Sequence, residues 1–108
     1  MQEVKIISLC IPRVSQNISH KDIYSTFLKL NIGLLKRVDI IERQNQDGEI
    51  YKRAFIHFKE WYNNDKSLFI MERLKEGKDI KIVYDEPWYW KVSENKSVRG
   101  NSNVNIVN

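Results

Sequence analysis

Apolar and polar positions alternate early in the chain, with Ile7, Leu9 and Ile11 on one face of an extended segment and Ile6, Ser8 and Cys10 on the other. A period of two is the mark of a strand, here expected over Val4 to Ile11 and stopped by Pro12. After a polar loop, Ser19 followed by Asp22 resembles a capping box with Asp in place of Glu, and Ile23, Phe27 and Leu30 recur at helical spacing. That helix should end near Asn31 to Gly33. Leu35, Val38, Ile40 and Ile41 then mark a less regular strand. Asp47-Gly48, the pair favoured where both turn residues need positive φ, predicts that it folds back as a hairpin.

The return strand, Tyr51 to Phe58, directs Ala54, Ile56 and Phe58 to one face and Tyr51, Arg53, Phe55 and His57 to the other. Asn63, Asn64 and Asp65 are candidate caps for a second helix, with a stripe of Leu68, Met71 and Leu74 flanked by Phe69 and Ile70 and a stop at Gly77. Ile80, Ile82 and Tyr84, alternating with Lys81 and Val83, give a fourth strand. The order βαββαβ predicts an α+β, ferredoxin-like sandwich: a four-stranded antiparallel sheet with two helices on one face and the other face left available. The domain is expected over residues 1–86, followed by an aromatic extension at 87–92 and a flexible polar tail at 93–108.

Composition narrows the function classes. With 108 residues, 42% of them hydrophobic, the chain suffices for one core. Its apolar runs are a few residues long, far short of the roughly 20 that a membrane span needs, so no membrane role is expected. The N-terminus reads directly into a strand without a leader pattern, which predicts an intracellular location, cytoplasmic or nuclear. A lone Cys10 and two histidines distant in sequence, His20 and His57, give no disulfide and no metal-ligand spacing, so neither metal nor cofactor is expected. A net charge of +4 and a pI near 9.2 favour a polyanionic partner mildly.

Residues 4 to 85 resemble the RNA-recognition-motif family. That family's octamer, K/R-G-F/Y-G/A-F-V-x-F/Y, falls on Tyr51-Lys52-Arg53-Ala54-Phe55-Ile56-His57-Phe58. Ala54, Phe55 and Phe58 match and Ile56 is conservative. Arg53 replaces a stacking aromatic, Tyr51 a basic residue and Lys52 the glycine. The family's hexamer falls on Ile7 to Pro12, with Ser8 where an aromatic is usual. Gly33 to Ile40 is similar to the glycine-led entry into the family's second strand. The abundance of Asn, Lys and Ile, with the small size and diverged octamer, also resembles RNA-recognition-motif-like proteins of large DNA viruses.

The resemblance implies that Phe55 stacks on a nucleobase, and Arg53 has the planar guanidinium to replace the missing ring. Against this stand packing of Phe55 beneath a covering segment and an Arg53 ion pair with Asp39 or Glu42. Tyr51, His57 and Ser8 extend the same face, where the first two can equally be cross-strand packing. Lys36, Arg37, Arg43, Lys52 and Lys81 are candidate phosphate contacts or simply solvated charges. Lys21, Lys29, Lys66, Arg73 and Lys75 are read as solvent-facing helix residues. Trp88, Tyr89 and Trp90, with Lys91 beside them, have three competing fates: folding back over the sheet into the core, flanking it as added stacking rings, or forming a protein-binding patch.

No nucleophile elbow, phosphate loop or metal pattern is present in the sequence. Acylphosphatases share the architecture, but their glycine-rich loop beside an Arg has no counterpart here, and an enzyme is not expected. The expectation is a small module binding single-stranded RNA, or DNA, on its sheet face. The alternative is a protein-interaction or homodimerisation module whose sheet is masked or paired.

Overall fold

The computed structural model describes residues 6–96. In chain order the elements are β1 (Leu9–Val14), α1 (His20–Leu30), β2 (Gly33–Gln44), β3 (Ile50–Trp61), α2 (Asp65–Lys75), β4 (Ile80–Asp85) and β5 (Trp88–Glu94). Helix α1 starts where the sequence places its box: the Asp22 amide donates to the Ser19 hydroxyl at 3.3 Å and the Ser19 amide to the Asp22 carboxylate at 2.9 Å. These bonds satisfy amides that have no partner inside the helix. They also hold the Asp22 carboxyl below its ordinary value, the Ser19 backbone bond being the largest cause. Asn31 ends α1 in the left-handed region at φ 57°.

Pro12 lies inside β1 rather than after it, and Val4 and Lys5 of the expected first strand fall outside the described residues. Two features accommodate the proline. The β1–β3 register shifts between Ile11 and Val14, and β5 pairs with β1 only at Leu9 and Cys10, so past Cys10 that side of β1 has no ladder needing the missing amide. The β2–β3 connection is also longer than a two-residue turn. Asn45 Oδ1 accepts the amides of Asp47 and Glu49, both at 2.9 Å, and Gly48 alone takes positive φ, at 84°. An asparagine side chain thus organises the loop in place of two left-handed residues.

In α2, Asn64 is the N-cap, its side chain accepting from the Ser67 amide. The buried stripe is Ser67, Ile70 and Leu74, with Met71 half-buried, whereas Leu68 and Phe69 point outward. Helix orientation is fixed by the Ser67 hydroxyl, which donates to the Ile32 carbonyl at 2.8 Å and brings a polar position into the interior with its partner supplied.

Over the described residues the fold is α+β, with two helices and an antiparallel sheet of five strands rather than four, in the order β2-β3-β1-β5-β4. The added strand is the aromatic run. Trp90 and Val92 face inward and Tyr89 and Lys91 outward, the same period of two that marks the other strands. Ile80 to Asp85 becomes the outer strand of a β4–β5 hairpin, and β5 takes the place beside β1. The sheet therefore runs through Glu94, past the boundary expected at residue 86; residues 97–108 of the expected tail lie outside the described residues.

One core cluster joins Ile23 and Phe27 of α1, Ile70 and Leu74 of α2, and inward residues of every strand, including Leu9, Val38, Ala54, Ile56, Ile82 and Trp90. Trp90 is 4% exposed and its ring stacks on Tyr84 at 4.3 Å and on Phe27 at 6.4 Å. No described helix is long and apolar enough to cross a membrane.

Candidate functional site

Alternation along each strand sends a second set of side chains to the face opposite the core. On β3 these are Tyr51, Arg53, Phe55 and His57, all half-buried. Phe55 stands at the middle, its Cα partnered with Cys10 of β1 and Asp39 of β2. Cys10 is small, and its Cα is in turn partnered with Ser93 of β5. A row of Asp39, Phe55, Cys10 and Ser93 therefore crosses four strands, with one aromatic ring between small or charged neighbours. Residues 88–94 run within the sheet rather than across this face.

Around Phe55 the polar side chains are organised. His57 Nε2 lies 3.0 Å from Asp39 Oδ2 and Nδ1 lies 3.0 Å from Ser8 Oγ, while Arg37 Nε donates to the same carboxylate at 3.1 Å. In a neutral ring with the carboxylate accepting, Nε2 carries the proton and Nδ1 accepts from the Ser8 hydroxyl. His57, with 17% of its side chain exposed, is thus a brace between β2 and the residue that leads into β1. Serine, histidine and aspartate in contact invite comparison with a nucleophile triad. Here, however, the carboxylate is shared with a guanidinium, which opposes the imidazolium that a general-base step creates.

Arg53 is bound neither by Asp39 nor by Glu42; its Nε donates to the Pro12 carbonyl at 3.4 Å, which leaves the guanidinium charge on the face. Asp39 is diagonal to both Arg53 and His57 in the β2–β3 register, and it pairs with the histidine, whose other ring nitrogen meets Ser8. The Tyr51 ring is covered on one side by Arg13, whose guanidinium carbon lies 4.0 Å from the centroid. Burial pushes the Cys10 thiol up, with the Arg53 charge pulling the other way.

The basic candidates separate. Arg43 is exposed opposite Tyr51 and shares the open face, whereas Arg37 is held by Asp39. Lys36 is exposed at the irregularity between Leu35 and Arg37. Lys52 has the alternation of Ala54 and Ile56 and is directed to the helix side, where Nζ donates to the Ile18 carbonyl at 3.4 Å; it is not a contact on the open face. Lys81 and Lys91 are Cα partners on the β4–β5 hairpin, with the Lys81 ammonium 4.4 Å from the Tyr89 centroid. Trp90 is in the core, so it is not a free stacking ring, and Trp88 is 64% exposed beside the hairpin turn. Arg13 and Tyr89 were the least legible contributors, since their contacts depend on the β1 bulge and on β5 being a strand. Among the described residues, no group of three or more His, Cys, Asp or Glu side chains could hold a metal ion.

Compared with known proteins, the chain matches no family model, no curated protein and no solved structure.

Proposed function

We propose that the protein is a small non-enzymatic module that holds a single-stranded nucleic acid, RNA in the first place, on the open face of its sheet. Phe55 supplies the stacking ring, Arg53 a guanidinium for base or phosphate, and Arg43 a further cation at the β2 side. The observation that carries the reading is the position of Phe55 at the centre of that face, between Cys10 and Asp39, with the aromatic run built into the sheet as β5. A planar ring flanked by an arginine that, among the described residues, is held by a backbone carbonyl suits a ligand made of bases and phosphates. Support also comes from the octamer's resemblance to RNA-recognition-motif domains. The strand order is compatible with theirs if β5 stands as their fourth strand and β4 is an addition at the edge.

The test is an anisotropy titration of labelled single-stranded RNA at low and moderate salt. Binding that weakens with salt and falls on Phe55→Ala and on Arg53→Ala supports the reading; no binding by the intact protein, or equal binding by both variants, removes it. A second reading, contact with another protein or a second copy, draws on Trp88, a large apolar side chain 64% exposed beside the hairpin turn. Light scattering tests its self-association arm. A monomer whose mass is unchanged by Trp88→Ala counts against self-association.

A further inference from the structure

The open face does not end at Phe55. The Cα register passes from Phe55 to Cys10 and from Cys10 to Ser93, and two and four residues before Ser93 on β5 stand Lys91 and Tyr89 on the same side of the strand. Lys81 is partnered with Lys91 and Val83 with Tyr89, so these four side chains make one block on the β4–β5 hairpin. Tyr89 is 51% and Val83 48% exposed. Two strand spacings across and four residues along put Tyr89 on the order of 15 Å from Phe55, a reach of a few nucleotides.

The hairpin also concentrates positive charge. A groove of about 590 Å³ beside it is lined by Arg73, Lys78, Lys81 and Lys91 around Tyr89, with Asp79 as its acidic member. Arg73 is fixed by two bonds to the Asp79 carbonyl, at 3.3 and 3.0 Å, which orient the guanidinium without neutralising it. The Lys91–Asp79 pair is 3.7 Å apart and well exposed, and the Lys78–Glu76 pair is exposed as well, so both resist competition by phosphate only weakly. Toward β2 the cations of the open face are Arg43, which is exposed, and Arg37, which is paired with Asp39.

We infer that the nucleic acid crosses the sheet from Phe55 over Cys10 and Ser93 to the β4–β5 hairpin, where Tyr89 is a second stacking ring and Lys81, Lys91 and Arg73 take phosphates. This rests on the reading of the open face as a single-strand binder. It adds a direction to the path and a subsite that the octamer does not contain. The Lys81 ammonium lies 4.4 Å from the Tyr89 centroid, so a cation stands directly beside the half-exposed ring that would stack on a base.

The experiment uses the full chain and a labelled single-stranded RNA of about a dozen nucleotides, within the site sizes such binders show. Intact protein, Tyr89→Ala, Tyr89→Phe, the double variant Lys81→Ala with Lys91→Ala, and Phe55→Ala are compared. Circular dichroism checks that each is folded. Loss of one base stack at Tyr89→Ala should weaken binding about tenfold, while Tyr89→Phe keeps it. The lysine pair should lower the slope of log affinity against log salt by about 1.4, at about 0.7 per phosphate on a single strand. If Phe55→Ala weakens binding but the hairpin variants leave affinity and slope unchanged, the hairpin subsite is refuted and the central reading stands. Failure of the intact protein to bind refutes both. Polyglutamate binding as tightly as RNA, through the same residues, also overturns the inference, since the patch would then be an acidic-protein site.

Discussion

The rings of Phe27 and Trp90 lie 6.4 Å apart and 3° from parallel, tying the first helix to the last strand. That tie draws one aromatic of the C-terminal run into the interior while its neighbours remain outside. Trp90→Ala, which empties a large core site, should cost about 3 to 5 kcal/mol in urea unfolding. Trp88→Ala, at an exposed position, should stay within about 0.5 kcal/mol. Equal costs would mean that the run packs as a unit rather than as a strand with two faces.

Gly33 opens β2 against the end of β3. A Cβ built there would meet the Glu60 carbonyl oxygen at 2.6 Å and a Phe58 ring carbon at 2.8 Å. The first contact is with backbone that is paired in the ladder, so it has little room to yield. Gly33→Ala should destabilise the fold by about 1 to 3 kcal/mol, read by chemical denaturation. Gly77→Ala meets no close neighbour, and its cost should come from the positive φ of 78° alone.

At the start of α1, Ser19→Ala should cost about 1 kcal/mol by loss of the cap. The Asp22 partner adds a pH dependence whose sign follows from its lowered folded value. Its contribution is present above the unfolded value of 3.8 and is lost as pH falls through the folded one. Comparing acid unfolding of the intact protein with Asp22→Asn checks this; the variant should show a shallower fall in stability across that window.

His57 on β3 joins Asp39 of β2 to Ser8, the residue before β1, through its two ring nitrogens. Ring nitrogen NMR at neutral pH should show the proton on Nε2, and Asp39→Ala should remove that preference. His57→Ala should cost on the order of 1 to 2 kcal/mol, the range of two modest hydrogen bonds. A ring that exchanges freely between tautomers would contradict the arrangement.

Much of the architecture was readable because its causes are local. The Ser19–Asp22 box, the Asn64 cap and the alternation of Ala54, Ile56 and Phe58 each write their element in adjacent residues. β5 was hidden because Trp88, Tyr89 and Trp90 are all aromatic, and only burial separates Trp90 from the other two. The face of α2 depended on a hydroxyl reaching Ile32, thirty-five residues away in sequence, which no helical period reveals. The same holds at the candidate site. Phe55 was visible from its motif, whereas the pairing of Asp39 with His57 rather than Arg53 shows only once β2, β3 and Ser8 are brought together.

The central claim is that the ligand is held on the open sheet face around Phe55 rather than on the helix layer, which adds at most Arg73 at the edge of the β4–β5 hairpin. Its most direct test is an amide NMR titration of the full chain with a single-stranded RNA. The account predicts shifts at Cys10, Arg53, Phe55 and Ser93, spreading to Tyr89 and Lys91, and affinity at least fivefold weaker after Phe55→Ala, the low end of a base stack. Shifts confined to α1 and α2, or saturation unchanged by Phe55→Ala, would contradict it.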